Sequence, residues 1–138
     1  MSFVVRPAAS ADVDALRELE AEARASLVEA RGGPQLLAEQ PAVGEWQKVL
    51  DDSRRRVFVA AIDDHVVGYL DLELAGQLDG AAHVRQVYVT PDAREVGFGD
   101  DLLGAAIDEV WATGGRVIES FALPGYRDTK NLYERTDI

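Results

Sequence analysis

"RQVYVTPDAREVGFGDDLL", Arg85 to Leu103, runs from a strand-like segment through a proline into two closely spaced glycines and a helix-like start. The β-branched and aromatic run before Pro91 suits a pleated strand, and a proline ends it by removing a ladder donor. Beyond Gly99, Leu102, Leu103, Ala106, Ile107, Val110 and Trp111 recur at helical spacing. Three kinds of glycine turn compete for this junction. A dinucleotide-binding turn needs a third glycine at position 102, where Leu102 stands, and the first strand of a parallel unit. A P-loop needs Gly-Lys-Ser/Thr at the helix start, and Gly99-Asp100-Asp101 supplies neither the cation nor the magnesium ligand. The third is a compact turn whose backbone N–H groups face an anion, with Gly97 and Gly99 keeping side chains clear and Arg94 adding charge. A plain strand-to-helix turn is its competitor. Asp100 and Asp101, in the first helical turn, favour the helix dipole by roughly 0.3–1 kcal/mol. They weaken an amide cradle without excluding it.

Working outward, Phe3 to Val5 reads as a short strand ending at Arg6-Pro7. Ser10 or Asp12 is placed to cap a helix whose apolar face is Val13, Leu16, Leu19, Ala23 and Leu27, and Gly32-Gly33-Pro34 ends it. From Pro34 to Ser53 two short helical pieces are expected, interrupted by Pro41 and Gly44, a natural lid facing substrate. "RRVFVAAID" and "HVVGYLDLELA" predict two antiparallel strands joined at Asp63-Asp64. In the second, alternation puts Leu70, Leu72 and Leu74 on an apolar face and Tyr69, Asp71 and Glu73 on a polar one. "AHVRQVYVT" follows as a strand, and after the long helix Gly114-Gly115 is the expected exit. "RVIESFAL" is then a strand and Thr129 to Arg135 a short helix. The order predicts a mixed α/β sheet with helices on both faces.

Composition bounds the function. The 138 residues are 47% hydrophobic, enough for one globular domain, residues 1–138. A net charge of -11 without a basic tract opposes binding to nucleic acid or to anionic membranes. It is compatible with a cationic small substrate, although solubility explains it as well. There is no cysteine, which excludes disulfides, thiolate metal sites and a cysteine nucleophile. No His, Asp and Glu cluster has metal-ligand spacing, so no metal is expected. "MSFVVRPAAS" has no basic flank before its short apolar run, and no run approaches the ~18 apolar residues of a membrane span; a cytoplasmic protein is expected.

The quoted stretch resembles motif A of the GNAT superfamily of acetyl-CoA-dependent N-acetyltransferases, a strand and a proline followed by Arg/Gln-x-x-Gly-x-Gly/Ala at a helix start. Arg94, Gly97 and Gly99 match in place. "LPGYRDTKNLYERTDI" resembles the family's next motif, with Tyr133, Glu134 and Arg135 matching its Tyr-Glu-Arg/Lys run. The element order from Phe3 to Tyr133 matches as well. The resemblance implies a central, mostly antiparallel sheet with one splayed strand pair. Val87, Tyr88 and Val89 would pair their backbone with the pantetheine arm of acetyl-CoA. The pyrophosphate would lie over the amides of Glu95, Val96, Gly97, Phe98 and Gly99, with Arg94 shaping the loop and Asn131 also on the coenzyme side. Tyr133 would protonate the departing thiolate, a task suited to a phenol that stays protonated near neutral pH; a packing aromatic is the simpler role.

The attacking amine must lose a proton. Glu73 is the first candidate base and His83 the second, with a water relay as the alternative. His65, in the hairpin, is expected to be merely exposed. With no thiol to carry the acetyl group, transfer would be direct, from thioester to an amine substrate in a ternary complex. Two departures stand out. Asp137 occupies the place of the glycine that usually follows the Tyr-Glu-Arg run. The chain also stops at Ile138, before the family's two closing strands, so either the piece is incomplete or a second copy covers the open edge in a homodimer. Two other functions share the features: a noncatalytic acyl-CoA-binding module, and an acidic domain that binds a basic protein.

Overall fold

The β-branched runs assemble into one sheet. In the computed structural model, which describes residues 2–74, 81–113 and 117–120, the strands β1 (Phe3–Pro7), β2 (Arg55–Ile62), β3 (His65–Glu73), β4 (Ala81–Val89) and β5 (Val117–Ser120) lie side by side in chain order. β1 to β4 are antiparallel. β5 runs parallel to β4, with Ala81 opposite Val117 and Val84 opposite Ser120. A parallel step needs a crossover, and helix α4 (Phe98–Ala112) supplies it. The β2–β3 hairpin turns at Asp63-Asp64, and Asp63 takes the left-handed backbone (φ 53°) that an aspartate tolerates.

Helices cover both faces. On one, Phe98, Leu102, Leu103, Ala106 and Val110 of α4 pack against inward residues of β2, β3 and β4, including Leu70, Leu72 and Val87. On the other, Leu16 and Leu19 of α1 (Val13–Leu27) and Trp46 of α3 (Trp46–Asp51) meet Val57, Val59, Tyr69 and Tyr88. Each large apolar side chain so buried contributes about 1.5–3 kcal/mol.

This double cover corrects the expected two-faced β3. Tyr69 and Asp71 are as deeply buried as Leu70 and Leu72, and of the three polar-face residues only Glu73, at the strand end, is partly exposed. The expected helices on both faces leave β3 no wet face, so the polar side given by alternation is a buried one. The N-terminal cap also differs. Ser10–Asp12 form a single 3₁₀ turn, and neither side chain caps α1. Asp12 instead reaches back, accepting the N–H of Ala9 at 2.7 Å and a forked pair of bonds from Arg6 at 2.8 and 3.0 Å.

Gly32 begins a helix rather than ending one. α1 stops at Leu27, and Gly32 (φ 75°) leads into α2 (Gly33–Glu39) with Pro34 in its first turn. A Cβ at Gly33 would fall on the Leu27 carbonyl. α2 and α3 are the two short pieces expected between Pro34 and Ser53. Trp111, counted in the apolar stripe of α4, is 46% exposed and turns away from the core. Gly114-Gly115, Arg116 and Phe121 to Leu123 of "RVIESFAL", the helix from Thr129 and the strand splay lie outside the described residues.

Candidate functional site

The glycine turn is built in two steps. After β4, Pro91–Val96 wind into a 3₁₀ turn that includes Glu95 and closes at Val96. Gly97 then reverses direction with left-handed backbone (φ 86°, ψ 14°), and α4 starts at Phe98. The first intrahelical bond, from the N–H of Asp101 to the carbonyl of Gly97, spans 3.2 Å. The N–H groups of Phe98 and Gly99, at the helix start, therefore lack intrahelical acceptors. A Cβ built on Gly97 meets nothing within 4 Å, so the turn opens onto unfilled space. The Phe98 side chain points the other way, into the core, edge-on to Phe3 at 5.9 Å. Room above the turn, amides at its rim and an αL residue that only glycine takes without strain together fit an anionic phosphate group.

Arg94 holds this turn against the strand. Its Nε donates to the carbonyl of Val89 at 2.9 Å, and its guanidinium lies 5.5 Å from the centre of the Tyr88 ring. Val87, Tyr88 and Val89 have buried side chains, and the Tyr88 hydroxyl donates to Glu22 at 2.6 Å. Gly68 lies opposite Val89, and a Cβ there would sit 2.8 Å from the Tyr88 carbonyl oxygen. The bare backbone of Gly68 thus lets β3 approach β4 closely. Upstream, the β3–β4 register shifts between Asp71 and Leu72, leaving Arg85 as the extra residue of a bulge. Bulges of this kind re-aim side chains next to sites.

A cavity of about 130 Å³ lies between α1, α2 and the β3–β4 pair. Arg24, Arg55, Arg85, Asp71, Tyr69 and Gln86 are among its polar lining, with Val87 and Tyr88 beside them. Arg55 Nη2 donates to both oxygens of Asp71 at 2.7 Å. Burial pushes the Asp71 carboxyl above its usual range, and the bond from Arg55 pulls it part of the way back. A polar chain runs alongside. The Tyr69 hydroxyl donates to Gln86 at 2.7 Å, Gln86 Nε2 donates to Glu20 at 2.8 Å, and Glu20 accepts the N–H of Val43 at 3.0 Å. Glu20 is 4% exposed, so this chain pins α1 to β4 and to the loop between α2 and α3.

Of the expected catalytic residues, Glu73 is outside the cavity lining, at the end of β3, where it accepts a bond from Arg85 at 3.1 Å. His83 is its cross-strand partner on β4. His65 is exposed at the hairpin. Tyr133 and Asn131 lie outside the described residues. Sequence patterns overlooked Arg24, Arg55, Asp71, Gln86 and Glu20 as a cluster. One signal was available: Glu20 is four residues from Leu16 and sits within the apolar stripe of α1, where a solvated carboxylate has no place. Among the described residues, no three or more His, Asp or Glu side chains are grouped so as to hold a metal ion.

Strand, left-handed glycine and helix start follow one another in the order described, and the sequence profile of the acetyltransferase (GNAT) family matches residues 14–137. The chain belongs to the GNAT acetyltransferase family. Solved structures carry the same GNAT fold. A transcriptional regulator from Bacillus halodurans C-125 is 18% identical with a TM-score of 0.74, covering 99% of this chain and 93% of its own. A ribosomal-protein-alanine N-acetyltransferase from Brucella melitensis biovar Abortus 2308 is 19% identical, with a TM-score of 0.72 and coverage of 100% and 92%. The aminoglycoside N-acetyltransferase AAC(6')-Iy, solved in complex with CoA, is 16% identical, with a TM-score of 0.69 and coverage of 98% and 90%. At such identities the GNAT neighbours share the fold and nothing finer. No curated protein matches this GNAT sequence. Among the described residues no helix is long and apolar enough to cross a membrane.

Proposed function

We propose that this GNAT domain transfers the acetyl group of acetyl-CoA directly to an amine, in a ternary complex. The observation that carries the proposal is the turn at Gly97. It combines left-handed backbone, open space above it and the N–H groups of Phe98 and Gly99, at the end of a strand braced by Arg94. The pyrophosphate would rest on those amides and the pantetheine arm would follow Val87 to Val89. The amine nitrogen attacks the thioester carbonyl, a C–N bond forms and the C–S bond breaks. The ammonium proton goes to Glu73, with His83 opposite it as the alternative base, directly or through water. Tyr133 returns a proton to the departing thiolate. With no cysteine in the chain, no acyl-enzyme on a thiol competes with this direct route. We place the protein in the cytoplasm and treat residues 1–138 as one functional domain.

Acetyl-CoA at a hundredfold excess over its Kd should stabilise the protein by about 2.7 kcal/mol. No shift in Tm at millimolar acetyl-CoA would remove the coenzyme from the proposal. Thiol release with a panel of amines then separates an enzyme from a noncatalytic binding module, which would bind without releasing thiol. Tyr133→Phe should lower kcat while leaving coenzyme affinity nearly unchanged, and an unaltered kcat would take Tyr133 out of the mechanism.

A further inference from the structure

The sign of the cavity is opposite to the sign of the protein. The chain carries 25 acidic and 14 basic residues, yet three arginines and a single carboxylate, Asp71, line the cavity beside β4. Behind this lining Glu73 pairs with Arg85, Glu20 accepts a bond from Gln86 and Glu22 one from Tyr88, so the excess of cations belongs to the side chains that line the cavity. From this we infer that the cavity is the acceptor pocket and that its acceptor is an amine carrying a carboxylate, of the amino-acid class. The inference rests on the acetyl-transfer proposal for the reaction, but not for the binding.

The donors are present and incompletely used. A guanidinium has five N–H groups. Arg24 spends two bonds on the last carbonyls of α2, Leu37 at 3.2 Å and Gln40 at 2.7 Å, which fixes its head over the cavity. Arg55 reaches Asp71 through Nη2 alone, and its Nε is buried with no partner among the described residues. Arg85 gives Glu73 one bond, from Nη1. A planar carboxylate accepts paired N–H bonds from such forks. Val87 and Tyr88 line the same cavity, so an acceptor held there by its carboxylate stands next to the strand assigned to the thioester arm. In an α-amino acid, the nucleophilic nitrogen is only two bonds from the carboxylate carbon, which suits a cavity of about 130 Å³.

The test uses matched sets: L-alanine, L-methionine and L-histidine, each with its carboxamide and its decarboxylated amine. Binding to the CoA-saturated protein is measured by calorimetry, and kcat/KM by thiol release from acetyl-CoA. The free acids should bind at least about tenfold more tightly than their partners, the range expected for hydrogen bonds to a charged group. Arg85→Gln, a change at a half-exposed side chain, should cut that preference severalfold, and Arg24→Gln with it should abolish the preference. Equal or tighter binding of the decarboxylated amines overturns the inference, as does failure of all nine compounds to bind at millimolar concentration. If the double variant does not fold, the substrate series in the unaltered protein decides alone. Tight binding of the acids without thiol release would keep this site and sink acetyl transfer. Faster acetylation of the decarboxylated amines would keep acetyl transfer and sink this site.

Discussion

Gly97 allows backbone strain and ligand binding to be tested separately. Its φ of 86° is left-handed, and a Cβ placed on it has nothing within 4 Å, so Gly97→Ala meets no clash. The cost is conformational alone, roughly 1–2 kcal/mol for an L-residue in that region. Unfolding entropy near Tm for 138 residues is about 0.3 kcal/mol per degree, so the Ala variant should melt about 3–7 °C lower. Acetyl-CoA at a hundredfold excess over Kd should raise the Tm of the unaltered protein by about 9 °C. If the new methyl group intrudes where the pyrophosphate rests and weakens binding tenfold, the same ligand concentration gives about 1.4 kcal/mol, a rise of about 5 °C. Gly97→Asn supplies the contrast, because asparagine tolerates left-handed backbone better than alanine. Asn should therefore lose less Tm than Ala and yet lose more of the ligand-induced rise. Differential scanning fluorimetry with and without acetyl-CoA measures both quantities. Two variants that melt lower but keep the full ligand-induced rise would show that no phosphate sits over this turn. An unchanged Tm in Gly97→Ala would contradict the left-handed backbone itself.

Gly68→Ala should destabilise by about 1–3 kcal/mol, since the Cβ would press on the Tyr88 carbonyl at 2.8 Å; a urea midpoint equal to that of the unaltered protein would refute the close approach. Asp12→Asn should cost about 1–3 kcal/mol at pH 7, at the lower end because Arg6 is partly exposed. Its pH dependence has a defined sign. The bond from Arg6 holds the folded-state pKa of Asp12 below the usual carboxylate range, so this stability is present above the unfolded pKa of about 3.9 and is lost as pH falls through the folded value. The gap between the two proteins in urea melts should be constant from pH 7 to about pH 5 and should narrow in more acid solution; a gap that widens there would reverse the assignment. Arg55→Met leaves Asp71 buried without its partner and should cost about 3–5 kcal/mol, while Arg55→Met with Asp71→Leu should recover most of the loss. A single variant within about 1 kcal/mol of the unaltered protein would mean that the pair is not buried as a unit.

The sheet and the glycine turn were legible because their signals are local. Pro91 ends β4, Asp63-Asp64 turns a hairpin, and Gly97 marks the one place where the chain takes a left-handed step into α4. Each depends on the residue itself and its immediate neighbours. The cavity was not legible because it is made of distant residues. Asp71 looked like a polar-face residue by alternation, but α1 and α3 cover that face, and its partner Arg55 comes from the neighbouring strand. Gln86 and Glu20 meet across 66 positions of sequence. Only Glu20 left a trace in the pattern, as a charge inside an apolar stripe.

The charge of the cavity alters what the net charge of the chain implies. A total of -11 is compatible with a cationic acceptor, and solubility explains it as well. Charges on the solvent side, however, are screened over about 8–10 Å at ordinary salt, while groups in a partly dry cavity are screened much less. Glu73 and Asp71 each face an arginine, and Arg24 is oriented by backbone carbonyls rather than by a carboxylate. The bound ligand therefore encounters a locally cationic wall within an anionic protein. On the proposed reading the outer acidic residues act on solubility, and discrimination among acceptors would fall to the few side chains around Arg24, Arg55 and Arg85.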